Sequence, residues 1–320
     1  MIARRHLRAI AATVIAFWAI PVPTSAQITT ASVTGIVTDP QGVVIPGAAV
    51  RLISETRGTQ LSDVFTNASG DFTFVNVTPD RYTLQIAIEG FKTLKRTGLI
   101  VSAGDRLGLG ALTIGVGPLA EAVTVIGESP LVQTQSGERS YTVPTKSVES
   151  LPISNRSFTA LASLAPGVTT TGDPSRIGGG GDTNIMMDGV GVMDTGSNRP
   201  LLQMNVESIA EVKVLTSNYQ AEYGRSSGVQ ITAVTKSGTN KFRGAVYDVE
   251  RNSEWNANSR TNVVNGDAKA TLREKDWGFS VGGPVGKSGG ANKLFFFYSQ
   301  EFAPRTGGGN VQRYRLPTAL

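Results

Sequence analysis

The sequence predicts a mainly β chain: a small β-sandwich, then a glycine-rich α+β region, then the first few strands of an incomplete membrane-type β-barrel. Three observations predict it. Short segments alternating apolar and polar residues recur at close spacing, separated by turn signals. Glycine numbers 37 in 320 residues, and only 17% of residues are charged, against about 25% for an average soluble domain. No stretch beyond the first 26 residues approaches the length of a transmembrane helix, so a membrane-spanning part has to be β-structure.

Residues 1–26 read as a secretory signal peptide. Arg4, Arg5 and Arg8 form a positive start, and Ala9 to Ile20 is an apolar run of 12 residues, too short to span a bilayer. Pro21 and Pro23 end the run, and Thr24-Ser25-Ala26 supplies small residues for cleavage between Ala26 and Gln27;. Cleavage lowers Lys+Arg from 30 to 27 against 25 acids, so the net charge falls from +5 to +2. Nucleic-acid binding thereby loses its electrostatic support. Cysteine is absent and the single histidine, His6, lies in the signal. A Ser-His-Asp triad, a Cys-His pair, a His- or Cys-ligated zinc and a His-held haem are excluded from the mature chain. No enzyme activity and no cofactor is expected.

Residues 27–117 carry the sandwich. "SVTGIVTD" and "AAVRLIS" read as strands, and "DVFTNASGDFTFVNV" reads as a hairpin turning at Asn67-Ala68-Ser69-Gly70;. In "RYTLQIAIE", Tyr82, Leu84, Ile86 and Ile88 alternate with Arg81, Thr83, Gln85 and Glu89, giving one apolar face. Phe72 and Phe74 share a face of the preceding strand, and with Phe91 are assigned to the core. "GIVTDPQGVVIPGAAVRL", "TNASGDFTFVNVTPDRYTLQIAIEGF" and the closing "ALTIG" resemble the carboxypeptidase-regulatory-like domain, a transthyretin/Ig-like sandwich. Asp80 stands where that family usually has glycine, so an adjusted turn is expected there.

Residues 118–130 form a linker. Glycines and prolines isolate Glu121, Ala122, Val123, Thr124 and Val125 from both neighbours. A β-prone segment so placed can add itself to another protein's sheet edge, with affinity supplied by the main chain. It resembles the TonB box of outer-membrane receptors; a last strand of the sandwich or the first strand of the next domain is the plain alternative.

Residues 131–240 contain a short helix-period stretch around Phe158, Leu161 and Leu164, a strand "NIMMDGV", and "VESIAEVKVLTSNYQAEYGRSSGVQITAVTKSGTN". Asp188-Gly189 and Glu222-Tyr223-Gly224-Arg225 are the most telling residues, with Glu211-Val212. The arrangement resembles the plug domain of TonB-dependent outer-membrane receptors, in the Oar-like branch. Val229 and Thr232 depart from the family pattern and bear on local turns. Asp182, Asp188 and Asp194 beside glycines lack calcium-loop spacing; and read as turn carboxylates. Gly286-Lys287-Ser288 mimics a phosphate loop, but Val281 stands where that motif needs glycine;.

Residues 241–320 read as barrel strands. Trp277, Phe279 and Val281 alternate with Asp276, Gly278, Ser280 and Gly282, apolar toward lipid and small or polar toward the lumen;. Phe295, Phe296, Phe297 and Tyr298 suit an aromatic girdle at the membrane interface. Eighty residues supply three or four strands of about 9 to 11 each;, so the barrel cannot close and the sequence reads as a truncated or partial receptor. The resemblance implies the outer membrane of a Gram-negative-type bacterium, with sandwich and TonB box on the periplasmic side. It implies as partners a TonB-type energy-transducing protein with its inner-membrane motor, outer-membrane lipid, and an extracellular substrate of oligosaccharide or peptide class. The competing expectation is a secreted or periplasmic carbohydrate-binding-like sandwich without transport activity.

Overall fold

The computed structural model describes residues 30–117, 124–126, 137–143, 147–148, 151, 156–169, 175–176, 182–194, 196–197, 199–202, 204–220, 223–224 and 227–307. The first unit contains β1 (Ala31–Thr38), β2 (Ala49–Ser54), β3 (Val64–Phe65), β4 (Asp71–Val77), β5 (Asp80–Ala87), β6 (Leu94–Val101) and β7 (Arg106–Thr113). They form two sheets, ordered β4-β1-β7 and β3-β2-β5-β6, with β8 (Thr124–Ile126) added to the free edge of β6. Tyr82, Leu84 and Ile86 of β5 are buried, and Phe72 and Phe74 of β4 meet edge-on at 6.1 Å in the same core. The alternation read from the sequence thus places the apolar faces correctly, and Phe91 packs on the rim.

The Asn67–Gly70 turn forms, with Asn67 Oδ1 accepting from the Ser69 and Asp71 amides at 2.9 Å. It does not make the expected hairpin. β3 pairs with β2, whereas β4 crosses to the opposite sheet and pairs with β1. The physical reason is the sandwich itself: a turn at its edge hands the chain from one sheet to the other. The Asp80 carboxylate accepts from Ser54 Oγ at 2.5 Å and Thr56 Oγ1 at 2.8 Å.

The second unit contains β9 (Arg139–Val143), a 3-10 turn (Phe158–Leu164), β10 (Val168–Thr169), β11 (Ser175–Arg176), β12 (Asn184–Met187) and β13 (Val190–Gly191). A shorter 3-10 turn (Val206–Ser208) then leads into β14 (Ile209–Ser217) and β15 (Gln230–Thr235). Its main sheet is ordered β13-β12-β15-β14-β9. Phe158 and Leu161 are buried against one face with Val212, Val214, Ile231 and Ala233, while Leu164 at the end of its turn stays exposed. Asp188 and Gly189 both have positive φ, 47° and 80°. They form the tight two-residue turn that Asp-Gly favours between antiparallel strands.

The third unit is an antiparallel sheet of β16 (Arg243–Asn252), β17 (Leu272–Pro284) and β18 (Phe295–Phe302), with β19 (Arg305–Gly307) continuing along β17 beyond a break at Pro304. A six-residue helix (Arg260–Asn265) sits in the β16–β17 connection. Trp277, Phe279 and Val281 face outward, and Asp276, Ser280 and Gly282 face inward, as the period-two pattern predicts. The expected aromatic girdle needs correcting. Consecutive strand residues point to opposite faces, so Phe296 and Tyr298 lie outside while Phe295 and Phe297 are less exposed on the other face. Stacking of Phe302 on Trp277 at 4.4 Å extends the outer aromatic surface instead. Among the described residues this sheet is not closed into a barrel.

Candidate functional site

The chemistry of the described residues concentrates where the three units meet. The first contact joins the sandwich to the plug-like sheet. Lys213 and Glu211 occupy alternate positions of β14, so both leave the sheet on the face opposite Val212 and Val214. Lys213, 1% exposed, donates to Asp105 Oδ1 at 2.8 Å and to the Ala103 carbonyl at 3.2 Å. Glu211 accepts from the Ala103 amide at 2.8 Å and from Ser102 Oγ at 3.0 Å. Burial pushes the Glu211 carboxyl above its ordinary pKa, against the two donors that favour its ionised form. At the rim, Arg106 donates to Gln220 Oε1 at 2.6 Å.

Tyr223 completes this contact. It is buried, with its ring edge-on to Tyr219 at 6.4 Å. Its hydroxyl sits against Gly104, where an added Cβ would stand 2.9 Å from the oxygen, and Gly104 has φ +68°. Glycine there meets two demands at once, a left-handed backbone and room for the tyrosine.

The second contact joins the plug-like unit to the strands β16–β18. The Arg156 guanidinium lies 3.4 Å from Glu207, 3.3 Å from Glu301, and 4.5 Å from the Tyr247 ring centre. Burial alone would lower the Arg156 pKa; the Glu301 and Glu207 carboxylates hold it above its ordinary value. Asn205 Nδ2 donates to Ser299 Oγ at 3.4 Å. The third contact ties the sandwich to the start of the barrel strands, through Arg57 to Ser237 Oγ at 2.8 Å and the Asn240 amide to the Thr56 carbonyl at 3.0 Å. A cleft of about 850 Å³ remains between the three units, with Arg81, Asp188, Glu211, Lys236, Arg243 and Phe297 among its walls.

The residues singled out in the sequence are thus dispersed. Asp188 borders the cleft, but its carboxylate is engaged locally, accepting from the Thr235 amide at 2.9 Å and Thr235 Oγ1 at 2.7 Å. Asp194 likewise accepts from the Gly196 amide and Ser197 Oγ, and this hydrogen bonding holds its pKa low. Tyr223 reaches the sandwich contact, and Gly224 accepts from Asn184 Nδ2 at 3.4 Å. Thr124 and Val125 form β8, parallel to β6 with Leu94 opposite Thr124. Ala26, Gln27, Glu121, Ala122, Val123, Glu222 and Arg225 lie outside the described residues. Sequence reasoning missed Lys213, Asp105 and Arg156. A charged face alternating with valines reads as a solvent face, and nothing local shows that a second unit covers it.

Residues 32–113 match the carboxypeptidase regulatory-like domain, and residues 234–320 match an outer membrane beta barrel domain. The TonB-dependent transporter Oar of Myxococcus xanthus is 26% identical over 264 residues, covering 75% of this chain and 23% of the transporter. The chain therefore spans about a quarter of that relative's length. Among solved structures, a cohesin–X-dockerin complex of Acetivibrio cellulolyticus overlaps 28% of the chain at 20% identity and TM-score 0.23. A catechol 1,2 dioxygenase mutant of Acinetobacter radioresistens overlaps 31% at 11% identity and TM-score 0.20. The chain is similar to the Oar-like TonB-dependent receptors and is mainly β, with a regulatory-like sandwich ahead of strands that match an outer membrane beta barrel domain.

Proposed function

We propose that this chain forms the N-terminal part of a TonB-dependent outer-membrane receptor for active uptake of an extracellular substrate, an oligosaccharide or a peptide. Residues 131–240 gate the pore as a plug. Glu121 to Val125 couple it to a periplasmic TonB-type protein, and residues 1–26 direct export and are removed by cleavage between Ala26 and Gln27. No covalent chemistry is involved. The observation that carries the reading is the two-faced β17–β18 sheet. Its outer face presents Trp277, Phe279, Val281 and Tyr298, the apolar band lipid requires. Its inner face meets the plug-like unit through Ser299 and Glu301. The sugar-binding reading is weaker, since Phe72, Phe74 and Tyr82 are spent in the core.

Coupling by strand addition is testable. A peptide of residues 119–130 is titrated by calorimetry against a TonB C-terminal domain. Main-chain pairing predicts mild effects for most side-chain swaps. Val123→Pro is the exception, because proline removes a ladder donor. Equal affinity for the two peptides, or binding by neither, removes the coupling assignment.

A further inference from the structure

The contact between sandwich and plug-like sheet has the wrong composition for a permanent one. The sandwich core is built wholly from residues 31–114 and the plug-like core wholly from residues 143–233. Among the described residues the buried apolar side chains at the contact are few, Ala103, Leu215 and Tyr223, and they belong to neither core. Obligate interfaces, by contrast, resemble a core cut in half.

Beside Ala103, Leu215 and Tyr223, the sheet face turned to the sandwich carries buried polar side chains. Thr232 is the register partner of Lys213, and Gln230 of Leu215, so all four side chains share the sheet face that Lys213 turns to the sandwich. Gln230 is fully buried and Thr232 is 3% exposed. Gln230 Oε1 and Nε2 and Thr232 Oγ1 have no protein hydrogen-bond partner among the described residues. A buried polar atom without a partner costs free energy that water would restore. Burying Lys213 and Asp105 adds a desolvation cost in the same direction, which their mutual hydrogen bond offsets in part;.

We propose that the sandwich is a reversible cover of the plug-like sheet, closed by the Lys213–Asp105 and Glu211–Ala103 contacts and opening as a unit while both cores stay folded. The loss of hydration at Gln230 and Thr232 opposes closure, and the four hydrogen bonds from Lys213 and to Glu211 favour it. The balance leaves the closed state accessible but not locked. The sandwich thus serves as a door over a polar sheet face rather than a passive appendage. This holds whatever partner engages the linker, so it stands apart from the transport reading.

The test uses the full 320-residue chain. Acetylation of Lys213 is followed by mass spectrometry beside hydrogen exchange at the amides of Ala103, Leu84 and Val214. The cover predicts that Lys213 acetylates and Ala103 exchanges while Leu84 and Val214 stay protected. Thr232→Val keeps the side-chain shape and deletes the unpartnered hydroxyl, so it should slow Lys213 acetylation about tenfold. Gln230→Leu should act in the same direction, which guards against either variant alone disturbing the sheet. If Lys213 reacts only when Leu84 and Val214 exchange, the units do not separate and the proposal falls. It falls equally if Thr232→Val and Gln230→Leu leave the rate unchanged or raise it.

Discussion

At the scale of single residues, Glu211 decides how the sandwich contact responds to pH. Its neighbours are the Asp105 carboxylate, the Lys213 ammonium, the Ser102 hydroxyl and the Ala103 amide. Burial raises its pKa above the ordinary glutamate value, so the closed state binds the proton more tightly than the open or unfolded state. The stabilisation from this group is complete below the unfolded pKa, about 4.3. It fades as pH rises through the higher closed-state value. Closure should therefore weaken from pH 4 toward neutrality in the native chain, and Glu211→Gln should flatten the part of that dependence due to this residue. Carboxyl NMR titration measures it; a Glu211 midpoint below that of an exposed glutamate would show hydrogen bonding outweighing burial and reverse the predicted sign. Gly104 supplies a second expectation. Alanine there combines a left-handed backbone with a Cβ against the Tyr223 hydroxyl, costing about 1 kcal/mol and raising Lys213 reactivity.

At the scale of elements, β5 bears the sandwich. Leu84 is fully buried at its centre, paired with Leu52 on one side and Arg96 on the other. Leu84→Asp should unfold the sandwich, because an unpaired carboxylate in so small a core cannot be hydrated. A variant melting within a degree or so of the native chain would mean the strand faces the other way. β5 was legible in the sequence because Tyr82, Leu84 and Ile86 alternate with Arg81, Thr83 and Gln85, and so was β17, whose large apolar and small residues alternate from Trp277 to Gly282. The β3–β4 connection was not. Turn chemistry specifies that the chain reverses at Asn67–Gly70, but which sheet receives the next strand depends on residues far away. The Phe295–Phe297 run was misread for a related reason, since a continuous aromatic string hides the two-fold alternation of the strand that carries it. β8 gives the last element-scale expectation. Thr124 to Ile126 pair with β6 within the chain, so a TonB-type partner has to displace that pairing or use the other edge. The free peptide should bind such a partner more tightly than the whole chain does, and equal affinities would assign the partner to the other edge.

At the scale of the whole molecule, two closed cores and one open sheet are joined through polar contacts. That arrangement was only half legible. The units follow from composition and periodicity, whereas their contacts come from side chains that look solvent-exposed in sequence. Arg156 shows the point most sharply. It has φ +48°, a strained setting for a non-glycine residue, and its guanidinium is held between Glu207 of the plug-like unit and Glu301 of β18. Removing that cation leaves two carboxylates facing one another with 15% and 18% side-chain exposure. Arg156→Met should therefore loosen the plug-like unit from the β16–β18 sheet by about 2 kcal/mol. That is less than the 3–5 kcal/mol seen when a fully buried pair is broken, because both carboxylates retain some solvent. Arg156→Lys should recover part of the loss, since a lysine keeps the charge but not the two-sided fork or the stacking on Tyr247. Hydrogen exchange of the full chain reads the effect by region. Protection should fall at β18 and at Val206–Ser208 in Arg156→Met, fall less in Arg156→Lys, and stay unchanged at Leu84. Loss of protection at Leu84 as well would mean that the sandwich depends on the contact between the second unit and the β16–β18 sheet and that the three units do not behave independently. Unchanged protection at β18 would move the principal attachment to the Asn205–Ser299 contact.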